Sequence, residues 1–444
     1  MNNTSHTIFG TDGIRKTVGT PPLSHHDLPN LGRAIGQWAQ KKYGPCPTIL
    51  IAHDTRNSCA YIKTALSSGL LLSPIMLYDT HVLPTPAAHL LAKNNRLINC
   101  SIIISASHNP YQDNGIKIID ANKSKISADD EACISRLFNE NNDTPLDYSS
   151  CGSMQWLPAA AQNYSDMLIN LFPPSLLNGK KIVIDCAHGA TYHVAPKIFK
   201  ALGAELIVIN NEPNGKNIND HNGAVYPEQL QKIVLENNAH AGFAFDGDGD
   251  RIAVISKSGE IKDGDDIMAM LLAGSLYSSV QMIVGTLMSN KGFESFLNKQ
   301  NKNIVRTAVG DKYVLAKMME QNIVLGGEPS GHIIMRDYLD ISDGIFTALR
   351  LAQILNETDN WHMHSFTKYP QILLNRPITV KKDLTDPIIQ EIIASHEQRL
   401  KAGRIIVRYS GTENMLRVMV EDETKEQASH LANQLADLLQ KQLS

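Results

Sequence analysis

Two short stretches hold residues whose types and spacing could do chemistry. In Asp246-Gly-Asp248-Gly-Asp250-Arg251, three carboxylates sit at alternate positions with glycine between them. Glycine permits a backbone tight enough for several oxygens to converge on one point, and an all-oxygen donor set suits a hard cation such as Mg2+. A solvated acidic turn and an EF-hand are the rival readings. The apolar run Gly242-Phe243-Ala244-Phe245 just before the loop puts it at a strand end rather than in a free turn. An EF-hand needs glycine at its sixth position and glutamate at its twelfth, where this loop has Arg251 and Lys257. The loop reads as a metal site with room for a further ligand, and Mg2+ is commonly shared with a phosphate oxygen.

The second stretch, Ser105-Ala106-Ser107-His108-Asn109-Pro110, ends the apolar run Ile102-Ile103-Ile104. Alone, Ser107 reads as a cap for the next element. Beside the acidic loop it reads as a hydroxyl that carries a phosphoryl group and completes the cation's shell. Arg251 is placed to offset phosphate charge, and His108 and Lys117 flank the serine along the chain. Lys117 could move a proton if desolvation lowered its pKa, or it could be an edge-strand charge that discourages aggregation.

Three further loops offer ligands. Glu328, Ser330 and His332 alternate in "GGEPSGH", a mixture that suits sugar hydroxyls, although Gly/Pro loops also use such residues for turn chemistry. Arg408, Ser410, Gly411, Thr412 and Arg417 in "RYSGTENMLR" would make a phosphate cradle, or an ordinary surface turn. Arg15 in "GTDGIR" is another phosphate partner.

Positioning these loops requires strands with polar mouths. Short apolar runs alternate with helical patterns through most of the chain, which predicts an α/β class with mixed or parallel sheets. Strands are expected at 48–54, 102–104, 116–119, 181–185, 204–210, 241–245 and 252–256, with Asn114-Gly115 as a tight turn. Composition shifts divide the chain into domains 1–153, 154–256, 257–367 and 368–444. The tail predicts two strands and a closing helix, opened by a capping box at Thr424 and Gln427. Ala428, Leu431, Ala432, Leu435, Leu438, Leu439 and Leu443 would form its apolar face.

The bulk properties narrow the function classes. The 444 residues, 43% hydrophobic and 19% charged, carry 41 Lys+Arg against 45 Asp+Glu, a net charge of −4, so no nucleic-acid partner is expected. No apolar run approaches a membrane span. The N-terminus lacks the basic start and apolar core of a signal peptide, and Cys46, Cys59, Cys100, Cys133, Cys151 and Cys186 are scattered without a CxxC pair. A cytoplasmic protein with reduced thiols is expected.

"SASHNP", "DGDGDR", "GGEPSGH" and "RYSGTE", in this order, resemble the α-D-phosphohexomutases, and the resemblance covers essentially the whole chain. "FGTDGIR", "GTLMSN" and "AVGDKYV" are most similar to the branch that interconverts glucosamine 6-phosphate and glucosamine 1-phosphate on the route to UDP-N-acetylglucosamine. The resemblance implies four domains, three related α/β units with mixed sheets and a C-terminal TBP-like α+β domain. It implies that Ser107 is the phosphoserine and that its phosphate, with Asp246, Asp248 and Asp250, holds one Mg2+ per chain. Glu328 and Ser330 become sugar ligands, and Arg408, Ser410, Gly411 and Thr412 the grip on the distal phosphate. Arg15, His108 and Arg417 are further substrate contacts, Arg251 stabilises charge, and Lys117 before His332 is the choice for proton transfer. A hexose 1,6-bisphosphate is the implied activator and a sugar phosphate the partner; the pattern allows a homodimer. The same chemistry on mannose or glucose phosphates, a metal-dependent phosphomonoesterase and a sugar-phosphate sensor are the alternatives. Lys16, His53 and Asn414 depart from residues frequent in the family.

Overall fold

The computed structural model describes residues 7–10, 12–122, 125–140, 150–409 and 414–443. It divides into two compact units: Met1–Leu287 with Val305–His364, and Met288–Ile304 with Ser365–Ser444.

The first unit opens with a six-stranded mixed sheet in the order Ile14–Thr17, Asp113–Asp120, Cys100–Ile104, Thr48–His53, Met76–Val82, Ser153–Trp156. Its central strands, "CSIII" and "TILIAH", are almost wholly buried, as expected where helices cover both faces. On one face the helices Asp27–Tyr43 and Cys59–Leu70 approach closely at Gly32 and Gly69. A Cβ on Gly69 would lie 1.8 Å from the Pro29 carbonyl oxygen, so no larger residue fits there. A second mixed sheet runs Ile261–Lys262, Ile252–Ser256, Ala241–Phe245, Lys181–Asp185, Glu205–Ile209. A third pairs Met282–Thr286 in parallel with Leu325–Gly327, which in turn pairs antiparallel with Ile333–Met335.

The sheets share one device. Cys100–Ile104, Ala241–Phe245 and Leu325–Gly327 each run parallel to a neighbour and end in a polar loop. Ligand sites in such folds form outside the carboxyl ends of the strands, and these three ends supply Ser107, Asp246 and Glu328.

The second unit carries an antiparallel sheet, Gln371–Pro377, Met415–Glu421, Arg404–Tyr409, with the helices Pro387–Glu397 and Lys425–Leu443. Leu416, Val418 and Val420 on the central strand meet Leu431, Leu435 and Leu439 on the closing helix in one core.

Three local expectations change. Asn114 and Gly115 make no turn; they lie inside the strand Asp113–Asp120, opposite Lys16 and Arg15. Glycine is needed there because a Cβ would lie 2.5 Å from the Ile14 carbonyl oxygen. The first sheet takes its edge strand from Ser153–Trp156. Leu438 is 45% exposed, and Ala436 takes its place on the buried face. Thr424 Oγ1 does accept the Gln427 N–H, but the Gln427 side chain donates to Arg399 O, 3.1 Å away.

One buried group sets an acid limit on stability. His89, in the helix Thr85–Asn94, is 1% exposed, and neither ring nitrogen has a hydrogen-bond partner among the described residues. Burial, helped by Lys93, depresses its pKa to about 4, against about 6.5 in an unfolded chain. The unfolded chain therefore binds the proton more readily, and stability is lost as pH falls from 6.5 towards 4. The expected loss is about 3 kcal/mol. Urea titrations at pH 7 and pH 4.5 should show His89→Leu losing less than the parent; equal losses would refute the assignment.

Candidate active site

The site begins with a strained serine. Ser107 has φ +53° and is 1% exposed. Its Oγ donates to Asp246 Oδ2 at 2.6 Å, and His108 Nδ1 lies 3.4 Å away. Burial, then Arg251 and Arg15, hold the His108 pKa at about 4, so a neutral imidazole stands beside the hydroxyl at physiological pH.

Asp246, Asp248 and Asp250 are all buried, and one carboxylate oxygen from each lies within 4.8 Å of the others. Their environments separate them. Burial and the neighbouring Asp250 and Asp248 push the Asp246 carboxyl well up. For Asp248, burial acts in the same direction, but Lys117 and the Thr85 hydroxyl outweigh it and hold the group ionised. Thr85 Oγ1 donates to Asp248 Oδ2 at 2.7 Å, and Lys117 Nζ donates to the same oxygen at 3.0 Å and to Asp250 Oδ2 at 3.4 Å. Asp248 Oδ1 and Asp250 Oδ1 are buried without a hydrogen-bond partner among the described residues. Convergent oxygens, two of them orphaned, fit a hard divalent cation.

Lys117 is not an edge charge. Its strand is internal, between Ile14–Thr17 and Cys100–Ile104. Burial alone would lower its pKa; Asp12, Asp248 and Asp250 overcome that and raise it well above the usual value. These partners favour the ammonium form.

Above the serine lies a cavity of about 600 Å3 whose lining includes Ser107, Arg15, Arg251, Glu328, Ser330 and His332. Arg15 Nη1 donates to Ala106 O at 3.3 Å and the same guanidinium pairs with Asp12. The Arg251 backbone N–H donates to Asp246 Oδ1 at 3.1 Å, while its Nε has no hydrogen-bond partner among the described residues. Glu328 Oε1 accepts the Gly310 N–H at 2.9 Å. His332 Nε2 sits 3.9 Å from Asp250 Oδ2 and 3.8 Å from Asp311 Oδ2.

Sequence reasoning missed a second charged network here. Lys125 Nζ bridges Asp12 and Asp311, and Asp12 also meets Lys117 at 3.3 Å. "GTDGIR" and "AVGDKYV" each contained one of these acids, but nothing in either motif showed that they share a lysine.

In the second unit, Arg408 and Arg417 stand directly opposite each other on adjacent strands, with Asn375 next in the row. Like charges so placed are destabilising, and Arg417 Nε lacks a hydrogen-bond partner among the described residues. Ser410, Gly411 and Thr412 lie outside the described residues.

Comparison with known proteins agrees along the chain. Residues 6–144, 162–259 and 263–369 match phosphoglucomutase/phosphomannomutase alpha/beta/alpha domains I, II and III, and residues 373–438 match the C-terminal domain of the same family. A phosphoglucomutase/phosphomannomutase family protein from Burkholderia thailandensis has the same fold, with TM-score 0.80 at 23% identity, covering 99% of this chain and 98% of that one. The phosphoglucosamine mutase of Proteus mirabilis is 41% identical over 97% of both chains. That of Marinomonas sp. is 41% identical over 97% of this chain and 96% of its own. With such identity sustained from end to end, the chain belongs to the phosphoglucosamine mutase family.

Proposed function

We infer that the protein is a phosphohexomutase that interconverts glucosamine 6-phosphate and glucosamine 1-phosphate through a phosphorylated Ser107. One observation carries this reading: a buried serine hydroxyl bonds to one of three convergent carboxylates, at the floor of a cavity lined by arginines and by sugar-type ligands. A phosphatase would need only the floor. The walls suit a substrate that is held while it reacts.

In the forward direction the Ser107 Oγ–P bond breaks and a bond forms to the free hydroxyl of glucosamine 6-phosphate, giving a 1,6-bisphosphate. The sugar hydroxyl gives up its proton, and Ser107 Oγ gains one when it leaves. After the bisphosphate turns over, its other phosphoryl returns to Ser107 and glucosamine 1-phosphate departs. Mg2+ held by Asp246, Asp248 and Asp250 would supply positive charge against the phosphoryl oxygens. Arg251 and Arg15 add fixed charge from the cavity wall, where low dielectric makes it count. Glu328 and Ser330 orient the sugar. Lys117 is the first choice for proton transfer and His332 the second. Arg408 and Arg417, with Ser410, Gly411 and Thr412, are assigned to the non-reacting phosphate. A hexose 1,6-bisphosphate would recharge a dephosphorylated Ser107.

No described helix is long and apolar enough to cross a membrane. A cytoplasmic location, a homodimer, and domain boundaries near 153, 256 and 367 belong to the same proposal.

The test is ³¹P NMR of glucosamine 6-phosphate with the protein, Mg2+ and glucose 1,6-bisphosphate. A growing 1-phosphate resonance is expected. Inorganic phosphate alone would make the protein a phosphatase, and conversion only of mannose or glucose phosphates would keep the chemistry and move the substrate.

A further inference from the structure

The loop that carries Ser107 is held from two directions. From its own domain comes Arg56, whose side chain is fully buried. All five of its side-chain N–H groups are used: Nε donates to Asp54 Oδ2, Nη1 to Pro110 O and Asp113 O, and Nη2 to Ser107 O and Asn109 O at 2.9 and 2.8 Å. Asp54 also accepts the Ser105 hydroxyl at 2.6 Å, and Ser105 Oγ accepts the Ser107 N–H at 2.9 Å. Arg56 thus fixes the internal shape of the loop.

From the domain that carries the acidic loop comes Asn219. Its Nδ2 donates to the same two carbonyls, Ser107 O at 2.8 Å and Asn109 O at 3.1 Å. Its own backbone is pinned at φ +56° by a hydrogen bond from its N–H to Ala187 O. Each carbonyl oxygen accepts two donors, which uses both lone pairs. Gly247, next to Asp246, closes the same junction. A Cβ there would lie 2.6 Å from Ser107 O and 2.7 Å from Asn219 Nδ2.

We propose that Asn219, with Gly247 beneath it, is a positioning residue that sets how far Ser107 Oγ stands from the three carboxylates. Arg56 cannot do this, because every group it binds belongs to the first domain. A serine at positive φ holds one direction only while its surroundings enforce it. Misplacement by about 1 Å costs roughly 10²-fold in rate, and a loosened loop also admits water. In that leak the Ser107 Oγ–P bond breaks, a bond forms to the water oxygen, and the products are inorganic phosphate and the free serine hydroxyl.

This rests on the mutase reading, and the experiment separates the two. Parent, Asn219→Ala and Gly247→Ala are charged with glucose 1,6-bisphosphate, and turnover of hexose phosphate and the half-life of phosphoserine are followed in each. For both variants the expected result is a kcat lower by roughly 10²-fold, KM within about twofold and a shortened phosphoserine half-life; the melting temperature should be little changed in Asn219→Ala and lower in Gly247→Ala, where the added Cβ has no room. A merely structural residue would lower the melting temperature and leave kcat and phosphoserine half-life unchanged per folded molecule. That outcome, or kcat of Asn219→Ala within about threefold of the parent, overturns the proposal. A parent that turns over only mannose or glucose phosphates would fault the substrate assignment, and Asn219 would then be judged on those sugars.

Discussion

Ser107→Ala is expected to lower mutase turnover by at least about 10⁴-fold, the scale on which removal of a nucleophile is felt. The variant should still fold. Its cost is one buried hydrogen bond, Ser107 Oγ to Asp246 Oδ2, worth about 1–3 kcal/mol when the partner is left unsatisfied. Intact mass spectrometry after incubation with glucose 1,6-bisphosphate should show one added phosphoryl group on the parent and none on the variant. Ser105→Ala is the informative control. Ser105 is as buried as Ser107, but its hydroxyl is committed to Asp54 and to the Ser107 N–H. It should lose rate through loop disorder and still take up phosphate. Phosphate on Ser107→Ala, or none on Ser105→Ala, would place the acceptor elsewhere.

The two serines also mark how far the sequence can be read. Patterning finds a buried strand with a polar mouth, because Cys100–Ile104 is apolar along its length and the mouth is not. It does not say which hydroxyl faces the carboxylates, since that depends on Ser107 adopting φ +53° under hydrogen bonds from Arg56 and Asn219. Those partners lie 51 and 112 residues away. The Asp246-Gly-Asp248-Gly-Asp250 loop was legible for the opposite reason: its donors are local, and glycine at fixed spacing forces them together. The Asn114-Gly115 misreading is of the same long-range kind. The dipeptide favours a turn, but pairing with Ile14–Thr17, roughly a hundred residues earlier, overrides it. The partners of Lys117, Asp12 and the acidic loop, are likewise remote in sequence and were not legible from its neighbours.

The charge on Lys117 leads to the second large effect. Its ammonium stands 3.0, 3.4 and 3.3 Å from carboxylate oxygens of Asp248, Asp250 and Asp12. Lys117→Met keeps the length of the side chain and removes the charge, leaving buried carboxylates facing one another. Breaking a buried ion pair on one side typically costs about 3–5 kcal/mol, and that loss is expected in EDTA. A divalent cation bound to the folded state adds stability by mass action, about 2.7 kcal/mol at a concentration a hundred times its Kd. It also replaces the missing positive charge at Asp248 and Asp250, so millimolar Mg2+ should rescue Lys117→Met by more than it stabilises the parent. Asp12 lies outside the triad and keeps part of the penalty, so the rescue should be incomplete. Chemical denaturation of both proteins with and without Mg2+ measures all four stabilities. Equal stabilisation of parent and variant by Mg2+ would mean that cation and ammonium do not answer the same carboxylates. A variant as stable as the parent in EDTA would mean that these acids fold protonated, and that Lys117 is not what holds their charge.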